Sequence, residues 1–268
     1  MLVAIDVGNT QTLIGLFDGD DGAGDGAGGG GGGLTHHWRV STRAEATADE
    51  LALQLDQLMS LAGVEPATAV TGIAVASVVP RLRAGLREMT ERWWNVATVI
   101  VEPGIRTGMP ILYDNPREVG ADRIADAVAA FDRYGGPTVV IDFGTATTFE
   151  AVSARGEYLG GAILPGIEIS MEALFVRASA LTRVELVEVA SVIGKNTVES
   201  LQAGAVFGFA AQVDGMCARF AEELGPCTVV ATGGLAGLIA PVASAIDHYD
   251  PWLTLDGLRI IFGRNQPK

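Results

Sequence analysis

The apolar residues of this chain fall into short runs separated by polar turns, and the period within each run sorts strands from helices. Residues 2–5, Leu-Val-Ala-Ile, and residues 138–141, Thr-Val-Val-Ile, are near-continuous apolar runs of the kind carried by a strand buried on both faces. Each run ends in an Asp-Xaa-Gly turn, Asp6-Val7-Gly8 and Asp142-Phe143-Gly144, and each turn leads into a second strand, over 13–17 and 147–152. A third strand is expected over 34–41, and further buried strands over 73–76, 97–101 and 227–232.

Between the strands the period becomes helical. Thr47-Ala48-Asp49-Glu50 is a capping box; Leu51, Leu55, Leu58 and Met59 follow on one face, and Gly63 closes the helix. Pro80 opens a second helix with Leu82, Leu86, Met89 and Trp93 on one side. Asn115 caps a helix that begins at Pro116, turns Val119, Ile124, Val128 and Phe131 inward, and breaks at Gly135-Gly136-Pro137. Pro165-Gly166 starts a helix running to about Ala180. Gly194-Lys195-Asn196-Thr197 precedes a long helix through Glu223, with Asn196 or Thr197 as its cap. Residues 252–262 read as an end segment or late strand, and 263–268 as a frayed tail.

Strands alternating with helices predict an α/β architecture with mixed sheets. Residues 19–33 interrupt it. Ten of these fifteen are Gly, so the stretch buries no apolar surface and is expected to be a flexible insertion at a hairpin tip. It is not a phosphate loop, because neither a Gly-Lys-Ser/Thr ending nor a helix follows it.

Composition narrows the class. With 268 residues and 49% apolar content, the chain can build one large or two moderate globular cores. No apolar run approaches the ~20 residues of a membrane helix. A net charge of −14 argues against binding nucleic acid or anionic lipid. The N-terminus lacks the basic segment and long apolar run of a signal peptide, so a cytoplasmic protein is expected. Cys217 and Cys227 lack metal-ligand spacing and are expected to be reduced thiols.

The candidate chemistry lies in the two turns. Gly8 and Gly144 let main-chain N–H groups point at an anion. Asn9, Thr10, Thr145, Thr147 and Thr148 add amide and hydroxyl donors. Asp6 and Asp142 set a carboxylate beside each turn, where a hard cation can bridge to phosphate oxygens. Either turn alone is equally an ordinary hairpin; the pair, each behind an apolar strand, points to a phosphate clamp. Asp122 and Arg123, taken by themselves, read as a surface ion pair on a helix.

The paired turns resemble those of the actin, sugar-kinase and Hsp70 superfamily. Gly120-Ala121-Asp122-Arg123, Gly161-Ala162-Ile163-Leu164-Pro165-Gly166, Gly194-Lys195-Asn196-Thr197 and Thr232-Gly233-Gly234-Leu235-Ala236 narrow the resemblance to the type III pantothenate kinase family, over nearly the whole chain. That resemblance implies duplicated ribonuclease-H-like, actin-like ATPase halves, 1–115 and 116–268, with the nucleotide in the cleft between them and dimer-forming helices in the second. It implies ATP-dependent phosphorylation of pantothenate, with Asp122 as general base. Asp6, Val7, Gly8, Asn9, Thr10, Gln11, Thr12, Leu13 and Thr145 would bind ATP, and Asp6 would hold Mg2+. Tyr113, Gly120, Ala121, Asp122, Arg123 and Thr197 would hold pantothenate, with Arg123 toward its carboxylate. Asp142 would bind K+ or NH4+. The protein would be a homodimer. Gln11 stands where the family usually has Asn, Thr182 where it commonly has Pro, and the 19–33 insertion is unusual; Gln11 alone touches the phosphate turn and bears on nucleotide affinity. Another small-molecule kinase of the superfamily, a filament-forming ATPase, or a non-catalytic regulator keeping the fold would share the clamp. Retention of Asp6, Asp122 and Asp142 together argues against the regulator.

Overall fold

The structure is a computed structural model that describes residues 1–19 and 33–267. Apart from its two end residues, the glycine-rich insertion lies outside the described residues, as does the last residue of the expected tail. The chain forms two compact units. One comprises Met1–Met109, Asp114–Ala129 and Thr254–Lys268; the other comprises Pro110–Tyr113 and Ala130–Leu253.

In the first unit, strands β1 (Leu2–Val7), β2 (Gln11–Phe17), β3 (Leu34–Ser41), β4 (Gly72–Ser77) and β5 (Ala97–Ile100) form one sheet ordered β3-β2-β1-β4-β5. Strand β1 pairs antiparallel with β2 and parallel with β4. Successive residues Leu2 to Ile5 are all buried, so both faces of this central strand are covered, which is why its apolar run is nearly continuous. Ala48–Leu61 and Pro80–Met89 bury Leu55, Met59, Leu82 and Leu86 in one core with Ile5 and Val75. The capping box forms as its sequence demands: the Thr47 hydroxyl accepts from the Glu50 N–H, and the Glu50 carboxylate accepts from the Thr47 N–H.

The second unit repeats the plan. Strands β6 (Thr138–Phe143), β7 (Ala146–Val152), β8 (Tyr158–Pro165), β9 (Thr228–Thr232) and β10 (His248–Tyr249) are ordered β10-β9-β6-β7-β8. Here β6 takes the place of β1, antiparallel to β7 and parallel to β9. Its core joins Ile141, Phe143 and Phe149 to Ile167 of the helix Ile167–Arg177 and Val213 of the helix Thr197–Leu224.

Two elements differ from the sequence reading. The expected end segment or late strand over 252–262 is a helix, Leu253–Arg264, with Leu253, Leu255, Leu258, Ile261 and Phe262 buried. Asn115 does cap at Pro116, but only a short 3-10 turn, Pro116–Glu118; the α-helix proper is Ala121–Tyr134. The C-terminal helix also bears on the site. At Gly257 a Cβ would overlap the Ala125 carbonyl, so only glycine lets this helix approach Ala121–Tyr134 so closely. Among the described residues no helix is long and apolar enough to cross a membrane.

Candidate active site

The first turn is closed by β1–β2 pairing. Val7 sits opposite Thr12, leaving Gly8, Asn9, Thr10 and Gln11 as the loop. The Gly8 N–H donates to the Gln11 carbonyl at 3.0 Å. Gly8 keeps a negative φ, so glycine is required here for space: a Cβ would press on the same carbonyl at 3.0 Å. Asp6 is half-buried at the end of β1.

Asp122 lies in the first turn of Ala121–Tyr134, where its Oδ1 accepts from the Arg123 N–H at 2.8 Å. Arg123 is itself buried, 8% exposed, and Asp122 is half-buried, so the fully exposed ion pair that the bare sequence suggests is overturned by tertiary packing. Burial pushes the Asp122 carboxyl above the usual carboxylate range, against the Arg123 N–H and charge, which pull it down. Gly120 makes this possible, since a Cβ there would overlap Asp122 Oδ1. Val78 lies between the end of β1 and Gly120. Its N–H donates to the Val7 carbonyl at 3.1 Å, and a Cβ on Gly120 would stand 3.6 Å from its Cγ1.

The second turn is shorter. Phe143 sits opposite Thr147, leaving Gly144, Thr145 and Ala146. The Gly144 N–H donates to the Ala146 carbonyl at 3.0 Å. Glycines crowd around it. A Cβ at Gly233 (φ +94°) would overlap Asp142 Oδ1, one at Gly144 would stand 3.3 Å from Asp142 Oδ2, and one at Gly166 would overlap the Thr145 carbonyl. Thr148 pairs directly with Asp142 across the β6–β7 ladder, on the same face. Its hydroxyl oxygen is buried and makes no hydrogen bond among the described residues.

The substrate-side residues divide between the units. Gly120, Ala121, Asp122 and Arg123 belong to the first; Tyr113, Thr145 and Thr197 belong to the second. Tyr113 packs its ring over Gly160, 3.5 Å from where a Cβ would be, and 6.4 Å from the Tyr158 ring. Thr197 is the exposed first residue of its helix, whose cap is Asn196, accepting from the Glu199 N–H at 3.0 Å.

Sequence reasoning missed the layer beneath Tyr113. The Tyr158 hydroxyl donates at 2.9 Å to Glu150, and both residues are fully buried. The available signal was a lone carboxylate in the apolar run Phe149-Glu150-Ala151-Val152. Cys217 and Cys227 are free thiols. Burial pushes the Cys217 thiol up to about 12 and raises Cys227 as well, so both stay protonated and unreactive at neutral pH.

Among the described residues no three His, Cys, Asp or Glu side chains gather into a metal-binding group. Mg2+ in nucleotide sites is held by one or two carboxylates together with substrate phosphates, and Asp6 is a half-buried carboxylate beside the first turn. The Asp142 carboxylate and the buried Thr148 hydroxyl stand side by side on one face of the sheet.

Two mixed five-stranded sheets on one plan, each flanked by helices, define an actin-like ATPase fold of the kind used by phosphotransferases. In keeping with this, the chain is similar to the archaeal actin homologue Ta0583, with TM-score 0.52 and 11% identity over 99% of both chains. The family model for type III pantothenate kinase matches residues 2–219. A type III pantothenate kinase of Streptomyces avermitilis is 56% identical over 99% of this chain and 98% of its own length. One of Myxococcus xanthus is 54% identical over 99% of both. The chain belongs to the type III pantothenate kinase family.

Proposed function

We propose that this protein uses ATP to phosphorylate pantothenate to 4'-phosphopantothenate, the step that opens coenzyme A biosynthesis. Family membership gives the reaction. The observation that carries the mechanism is Asp122, a half-buried carboxylate of raised basicity in the first turn of its helix, beside the buried Arg123.

The turn from Asp6 to Leu13 cradles the nucleotide phosphates with main-chain N–H groups, and Thr145 of the second turn contacts the nucleotide. Arg123 faces the carboxylate of pantothenate, and Tyr113, Gly120, Ala121 and Thr197 complete its pocket. Asp122 accepts the proton of the primary hydroxyl while that oxygen bonds to the γ-phosphorus. The bond from the γ-phosphorus to the β,γ-bridging oxygen breaks, releasing ADP. Asp6 would hold Mg2+, which would supply neutralisation of phosphate charge, and Asp142, with Thr148 opposite, would hold K+ or NH4+.

The protein works as a homodimer in the cytoplasm. Support for the dimer comes from the second unit, where Ile163, Val176, Val192 and Ile193 are 65–74% exposed, more apolar surface than a monomer ordinarily shows to water. A second copy of the chain covers it; sedimentation at micromolar concentration tests this. The reaction is tested by coupling ADP release to NADH oxidation with pantothenate, ATP, Mg2+ and K+. Turnover that requires pantothenate is expected. No turnover from a folded sample, or preference for a sugar or another acid, would overturn the assignment.

A further inference from the structure

The phosphate turn is not held by its own hairpin alone. The chain leaves β3 at Ser41, and the next residue, Thr42, is half-buried against the turn and bonds it at three points. Its N–H donates to the Thr10 carbonyl at 2.9 Å. Its hydroxyl donates to the Gly8 carbonyl at 2.8 Å. The same hydroxyl oxygen lies 2.9 Å from the Thr12 hydroxyl.

A threonine hydroxyl has one proton and two acceptor positions. The Thr42 proton is committed to the Gly8 carbonyl. Thr12 must therefore be the donor in the hydroxyl pair, and the proton order runs Thr12 to Thr42 to Gly8. Two consequences follow. First, the carbonyls of Gly8 and Thr10 are turned toward Thr42, so the intervening peptide groups are fixed in orientation before any ligand arrives. Second, the Thr12 hydroxyl has no proton left for a phosphate oxygen.

From this geometry we infer that Thr42 is a positioning residue for nucleotide binding: it presets the peptide groups of the Gly8–Thr12 turn and directs the Thr12 hydroxyl proton away from the phosphates. The inference rests on the reading of this turn as the phosphate site. Arg39 also reaches the turn, donating to Gln11 Oε1 at 3.0 Å, but both side chains are exposed and the bond adds little rigidity. The Thr42 bonds are partly shielded from water, where a lost partner costs more.

The test compares Thr42→Val, which keeps the shape and removes the hydroxyl, with Thr42→Ser, which keeps the hydroxyl. Thr42→Val should raise KM for ATP and the Kd for Mg-ATP about tenfold, or ~1.4 kcal/mol. Its kcat should stay within about threefold of the parent, and KM for pantothenate within about twofold. Thr42→Ser should restore ATP affinity to within about twofold of the parent. Adding Thr12→Val to Thr42→Val should cost less than it does in the parent background, because the two hydroxyls act as one chain. Parental ATP affinity in Thr42→Val would overturn the inference. So would a Thr42→Ser variant as weak as Thr42→Val, or equal losses for both substrates with a lowered Tm. Failure of the underlying reading looks different: the parent protein itself would then bind no Mg-ATP in the same titration.

Discussion

The two Asp-Xaa-Gly turns begin alike and end as different devices. The first spans four residues between paired strand ends, and its glycine meets only one close neighbour, the Gln11 carbonyl. The second spans three, and Gly144, Gly166 and Gly233 let main chain close in around Asp142 and Thr145. The first turn is one residue longer and is braced by Thr42. The shorter turn draws its carboxylate into a cramped corner with Thr148. Under the proposed reading, the first would take a polyanion and the second a small cation, although the sequence motif is nearly the same.

This contrast can be broken in several ways. The largest effect belongs to Asp122, the proposed base. Asp122→Asn should lower kcat by about 10²–10⁴ while the Kd for ATP stays close to that of the parent. A loss of tenfold or less, only ~1.4 kcal/mol of barrier, would remove Asp122 from that role. At the second turn, activity should collapse in sodium-only buffer and return with K+ or NH4+, and Asp142→Asn should lose that response. Equal rates in both buffers would deny the cation site.

Glycine replacement separates the turns more finely. Gly166→Ala drives a Cβ onto the Thr145 and Gly144 carbonyls, whereas Gly8→Ala meets one carbonyl at 3.0 Å. Gly166→Ala should therefore lower Tm by several degrees more than Gly8→Ala, as for an overpacking cost of about 1–3 kcal/mol. Equal shifts would mean that the second turn is no tighter than the first.

The smallest effect is in pH dependence. Asp122 must be ionised to accept a proton, and burial holds its pKa above the ordinary value. As pH falls, kcat should therefore drop at a pH above the ~4 expected of a free aspartate. The acid limb should be absent from the residual activity of Asp122→Asn. An acid limb that persists unchanged in that variant would assign it to another group.

Much of this was legible in the chain itself. Near-continuous apolar runs before each turn marked β1 and β6, and the capping box at Thr47 marked its helix to the residue, because both signals are local. The C-terminal helix Leu253–Arg264 was not legible. Its apolar positions, Leu253, Leu255, Leu258, Ile261 and Phe262, mix periods of two, three and one, and the helix is settled by packing against Ala121–Tyr134 rather than by a clean stripe. Asp122 and Arg123 misled for a related reason. Two adjacent charges on a helix normally face water, and only tertiary structure encloses them. The Thr42 brace was hidden because its three bonds join residues 30 to 34 positions apart.

The most direct test of the central claim is a crystal structure with a non-hydrolysable ATP analogue, Mg2+ and pantothenate bound together. The triphosphate is expected on the Gly8–Thr12 turn in contact with Thr145, and the pantothenate primary hydroxyl about 3 Å from an Asp122 carboxylate oxygen. Triphosphate contacting only one of the two turns, or a hydroxyl beyond hydrogen-bond reach of Asp122, would contradict that claim.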